Sequence, residues 1–237
     1  MKNISSALTI ICVLSTTGVM SSANNFELRG SGIYFSPEGA AATGSDASAL
    51  EEIKWDSGTG FEVQGIYWIK SSPWGFGASL GKATWDIDDY EDIRTRGSSV
   101  VGDTLEGDAD LTTFGLSAFY KLFTEYGASK KLSGAIAGGL QFVSFDSNIE
   151  GETGVASEAG IIVWDQTLEI DDSIWGYIAF DLSYALTETV NLFGQGGVQF
   201  DLDKGSVEND APGLGTFQAG ETELQALFGK AGLSISF

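Results

Sequence analysis

Beyond residue 24 the chain alternates apolar with small or polar residues, with a period of two rather than 3.6. Eight such runs stand out, at about 26–36, 59–70, 74–87, 111–123, 131–145, 173–185, 190–203 and 223–237. In the last, Leu227, Gly229, Ala231, Leu233, Ile235 and Phe237 share one face, and Phe228, Lys230, Gly232, Ser234 and Ser236 share the other. The spacing predicts eight half-buried strands. Their connections alternate in length. Ser71–Pro73, Thr124–Lys130 and Leu186–Thr189 are short, whereas about 37–58, 88–110, 146–172 and 204–222 are long. Three tight turns on one side and four long loops on the other predict an all-β, antiparallel up-and-down barrel. Both ends of the mature chain then lie on the short-turn side.

Alternation alone fits a soluble barrel with an apolar core or a membrane barrel with an apolar outer face. Three features favour the second. The non-apolar face is built from small residues, such as Ser133, Ala135, Ala137 and Gly139, or Gly75, Gly77 and Ser79. They suit a narrow interior better than a water-facing surface. The aromatic residues of the apolar face fall into two levels. Phe26, Tyr67, Trp74, Phe76, Tyr120, Tyr184 and Phe237 form one; Tyr34, Phe61, Phe114, Phe142 and Phe200 form the other. Two girdles match the two interfaces of a bilayer. Charge also separates: segments 38–58, 86–110, 146–172 and 201–223 carry 28 of the 33 acidic residues and 4 of the 12 basic ones.

The N-terminus reads as an export signal. Lys2 is followed by apolar Ala7–Leu14 and by the small residues Ser21-Ser22-Ala23, which places cleavage after Ala23. Residues 1–23 are thus a signal peptide and 24–237 one barrel domain. Ile11 is too bulky for Cys12 to be a lipidation site. The net charge of -21 argues against a nucleic-acid partner. The absence of His excludes Ser-His-Asp and Cys-His catalysis and His-ligated zinc. No enzymatic activity and no cofactor are expected.

The signal sequence, eight alternating runs, long outer loops and the closing Gly232-Leu233-Ser234-Ile235-Ser236-Phe237 resemble the OmpA/OmpX-like outer-membrane β-barrels. The resemblance spans 24–237 and is architectural. It implies a bacterial outer-membrane location, with loops extracellular and termini periplasmic, among lipid and lipopolysaccharide. It also implies that Leu233, Ile235 and Phe237 form the signal read by the barrel-assembly machinery. Catalytic barrels of this kind depend on a His that this chain lacks.

Two sets of residues are candidate sites. Glu27, Arg29, Glu62, Lys121, Asp181 and Lys230 fall on the interior face. They form either a structural ion-pair network, with Arg29 and Lys230 sharing Glu27 or Asp181, or a gate. Asp86, Asp88, Asp89, Asp108, Asp110, Asp171 and Asp172 are oxygen ligands dense enough to be candidates for divalent cations. They lack the spacing of a calcium loop, and a solvated acidic face is the plainer reading. The function expected is a structural or surface-interaction role, with a narrow gated porin or small-solute channel as the alternative.

Overall fold

The computed structural model describes residues 25–37, 40–43, 53–87, 90–96, 99–126, 131–157, 160–211, 215–223 and 225–237. The signal peptide expected at 1–23 lies outside the described residues, as do Asp88 and Asp89.

The described residues form thirteen strands: β1 (Phe26–Pro37), β2 (Ala40–Thr43), β3 (Ile53–Trp68), β4 (Trp74–Ile87), β5 (Tyr90–Arg96), β6 (Ser99–Tyr126), β7 (Leu132–Ser157), β8 (Gly160–Ile170), β9 (Ser173–Ala185), β10 (Val190–Asp203), β11 (Ser206–Ala211), β12 (Gly215–Glu223) and β13 (Gln225–Ser236). Eight of them match the alternating runs. β1, β3, β4, β6, β7, β9, β10 and β13 form a closed antiparallel ring, because β1 pairs with both β13 and β3. Closure joins Ser31 to Gly232 on one side and to Glu62 on the other. It leaves this ring without edges.

The long connections are where the sequence reading falls short. Their described residues are largely strand, not loop. β3, β4, β6 and β7 run on past the lower ring, and β2, β8, β11 and β12 complete a second ring of eight above it. β8 and β9 are successive parts of one descending stave, interrupted at Asp171 and Asp172. β6 has 28 residues and β7 has 26. A tilted strand needs only about 9–11 residues to cross a bilayer. The excess carries the wall well beyond any membrane.

Polarity inverts along the same strands. In the lower part of β6, Leu122, Tyr120, Leu116 and Phe114 face outward and are 40–47% exposed, while Phe119, Ser117 and Thr113 face inward and are buried. Past Thr112, Asp110, Asp108 and Glu106 occupy the outward positions, and Leu111, Ala109 and Leu105 the inward ones. β7 switches at the matching level, from outward Leu140 and Phe142 over inward Gln141 to outward Asp146 over inward Ile149. The lower ring is therefore a membrane barrel, apolar outside. The upper ring is cored like a soluble one. Rings on the outer face also pair across strands: Trp74 with Tyr120 at 5.0 Å, and Phe114 with Phe142 at 6.2 Å. These lie at the two expected levels.

Candidate functional site

The interior of the lower ring is filled in layers. Nearest the short turns, Arg29 donates to Asp181 through both terminal nitrogens, at 2.5 and 3.2 Å, and through Nε to Glu27 at 2.9 Å. Glu27 also accepts the Trp68 indole N–H at 3.0 Å. The Arg29 guanidinium lies over the rings of Phe193 and Phe119, at 4.6 and 5.6 Å. A buried cation with two carboxylates and two aromatic faces is satisfied on every side.

The next layer holds Lys230, whose Nζ donates to both oxygens of Glu62 at 2.9 Å. This corrects the expected sharing. Arg29 takes both Glu27 and Asp181, and Lys230 pairs with Glu62 on another strand. Lys121 stands apart from both pairs. It forms no ion pair among the described residues, and its ammonium sits 4.0 Å from the centre of the Trp68 ring. Five of the six interior charges are thus brought together as two networks. The sixth is held by an indole face.

Above the charges lies an aromatic stack that sequence reasoning caught only in part. Trp85 packs against Trp175 at 5.5 Å, Trp55 at 5.4 Å and Phe35 at 5.2 Å; Phe145 lies 5.9 Å from Trp175 and 6.4 Å from Trp55. Trp85 and Trp175 share the inward parity of β4 and β9, and both are fully buried. Trp55, Phe35 and Phe145 were not singled out, although the period-two parity of β1 and β7 places two of them inside. Gly58 is what admits the stack. A Cβ there would overlap the Trp85 indole. Beside and above the stack, Leu105, Leu111, Ile149, Leu168, Ile170 and Val207 form the aliphatic core of the upper ring.

The described candidate cation ligands, Asp86, Asp108, Asp110, Asp171 and Asp172, do not converge on one point. Asp86 lies opposite Asp108, and Asp110 opposite Asp146. Thr84 donates to Asp110 at 2.6 Å. Asp171 accepts from the Ser206 hydroxyl, and both Asp171 and Asp172 are exposed at the break between β8 and β9. Among the described residues no three acidic side chains gather where an ion could be held. The outer face of β6, β7, β8 and β11 is instead a run of carboxylates: Asp108, Glu106, Glu150, Glu152, Asp165, Glu169, Glu208 and Asp210. At the C-terminus, Leu233, Ile235 and Phe237 face outward, 53%, 43% and 39% exposed.

A closed antiparallel barrel of eight staves, apolar outside and charged within, is the architecture of outer-membrane β-barrels. Neither a family model nor a curated protein matches the sequence. Solved structures do resemble it. Neisserial surface protein A (NspA) is 12% identical at a TM-score of 0.47, covering 92% of this chain and 100% of its own. A major outer membrane protein from Thermus thermophilus is 13% identical at 0.46, covering 89% and 99%. The outer membrane protease OmpT from Escherichia coli is 10% identical at 0.45, covering 94% and 100%. These likenesses concern the fold alone.

Proposed function

We propose that this chain is a non-enzymatic bacterial outer-membrane barrel with a closed lumen, and that it serves as a platform for surface interactions. The observation that carries this reading is the filled interior. The Arg29 and Lys230 networks, five packed aromatic side chains and an aliphatic core follow one another along the described interior. Charged pairs and large rings packed into a narrow bore support a lumen closed to solute. What the wall supports is a rigid acidic extension. In this reading the upper ring is extracellular, the short turns and both mature ends are periplasmic, and lipid with lipopolysaccharide surrounds the apolar band. Leu233, Ile235 and Phe237 serve the assembly machinery.

A narrow channel is the second reading, and one observation favours it. The side-chain nitrogen of Gln195 is buried in the lower ring with no hydrogen-bond partner among the described residues, which points to internal water. Planar-bilayer recording of the refolded mature protein separates the two. No steps above background are expected. Reproducible open steps would overturn the closed platform and install the channel. Display is tested separately by labelling Asn148→Cys on whole cells with a membrane-impermeant maleimide.

A further inference from the structure

β5, β6, β7 and β8 continue above the closed upper ring as a four-stranded antiparallel blade. β6 pairs with β7 up to Val100 and Ala156, and β7 with β8 up to Ser157 and Gly160. β11 covers β8 only from Thr167 to Ile170. From Ile161 to Asp165, β8 therefore has β7 on one side and, among the described residues, no strand on the other.

That free edge is unusually apolar. Ile161, Ile162 and Val163 are 75%, 58% and 53% exposed. Successive residues of a strand point to opposite faces, so both faces of this edge are uncovered. Edges are ordinarily blunted by Lys, Pro or a bulge. Ile161-Ile162-Val163-Trp164 carries no charge and no Pro, and its register with β7 is unbroken. An open backbone edge with β-branched side chains is a template for an added strand.

Charge decides what the added strand is. Beside the edge, on the outward face that Ile161, Val163 and Asp165 share, Glu106, Glu150, Glu152 and Asp165 line a depression of about 430 Å³. On β8 itself the opposite face carries Ile162 and Trp164, and Asp103 of β6 stands in register with Trp164 two strands away from the edge. A second copy of this chain would bring the same carboxylates against the first. We propose that the β8 edge takes up an extended segment of a partner protein in which aliphatic and basic residues alternate. Its backbone pairs with Ile161–Asp165. Its aliphatic side chains cover Ile162 and Trp164. Its basic side chains lay their stems along Ile161 and Val163 and bring their charges to Glu150, Glu152 and Asp165. The inference rests on the display reading above.

The test uses the full mature protein in nanodiscs. The probes are two synthetic peptides of four Lys and four Val, one strictly alternating and one in two blocks. The alternating peptide is expected to bind about tenfold more tightly, because only it can present one apolar and one basic face along a single strand. The variant Ile161→Asp/Ile162→Asp/Val163→Asp adds three negative charges, so attraction by charge alone would strengthen its binding; strand addition predicts weakening by about tenfold or more. Equal affinity for the two peptides, or tighter binding by the triple variant, would overturn the proposal. Should that variant lose the blade, Ile161→Thr/Ile162→Thr/Val163→Thr keeps β-branched residues, and unchanged binding there overturns it equally. A barrel that conducts yet binds the alternating peptide sinks the closed-lumen reading and leaves this one standing.

Discussion

Removing Glu62 alone should damage the barrel far more than removing it together with Lys230. Both side chains are nearly sealed from solvent, at 3% and 6% exposure, and the ammonium meets both carboxylate oxygens at 2.9 Å. At an effective dielectric of about 20, unit charges at that distance attract by about 6 kcal/mol. Burial of each ion costs several kcal/mol, so the net worth of the intact pair is small. Glu62→Leu discards the attraction and keeps the cost of a buried ammonium. The Tyr177 and Phe228 rings, at 5.7 and 5.3 Å from that ammonium, offset only part of it. A loss of about 3–5 kcal/mol is expected, and Lys230→Leu should lose a similar amount. The double variant Glu62→Leu/Lys230→Leu removes both burial costs and should lie within about 1 kcal/mol of wild type. The assay is reversible urea unfolding of the refolded protein in lipid vesicles, read by tryptophan fluorescence. Additive losses in the double variant would refute a paired, water-poor layer. Two single variants each within about 1 kcal/mol of wild type would do so as well, since water reaching either ion would spare it.

Three further outcomes follow from the same architecture. Leu116→Arg places a charge in the middle of the outward band and should cost about 2–4 kcal/mol, whereas Asp110→Arg, beyond the band, should cost less than about 1 kcal/mol in the same unfolding assay. Gly58→Ala drives a methyl group into the Trp85 indole and should destabilise by about 1–3 kcal/mol, with a changed near-ultraviolet circular dichroism spectrum from the displaced stack. Trp85→Ala should cost about 3–5 kcal/mol through the cavity it leaves. It should still give no bilayer steps, because the ion-pair layers below remain intact.

The lower ring was legible because a membrane barrel writes itself into parity. Each of the eight runs alternates, and a slip of one residue would turn Glu27, Arg29 and Lys230 into lipid. Parity also picked the interior charges. It could not choose partners. Glu62 and Lys230 are 168 residues apart, and only the stagger of closure decides which charges share a level. The upper ring was missed for a different reason. Its outward positions are acidic and its inward ones apolar, so the alternation continues through 99–110 and 146–157 with its sense reversed. Read with one rule of facing, an acidic stretch with scattered Leu, Ile and Val looks like a loop.

That reversal is the most informative feature of the chain. Within β6, three residues separate an outward Phe114 from an outward Asp110, and the inward face changes from Thr113 to Leu111 over the same stretch. No single solvent can sit outside both halves. Hydrocarbon accounts for Phe114 and Leu116 at more than 40% exposure, and water accounts for Asp108 and Asp110. The strand itself thus marks the membrane surface, near Thr112. The charged interior stops close to the same height, and the apolar core begins there. In hydrocarbon the wall is held by its backbone ladder, with ion pairs filling a narrow bore. In water it is held by burial of Leu105, Leu111, Ile149 and Leu168. A barrel meant only to conduct has no use for a solid core stacked on its mouth. For the proposed display role, that core is what would hold the acidic blade upright above the membrane.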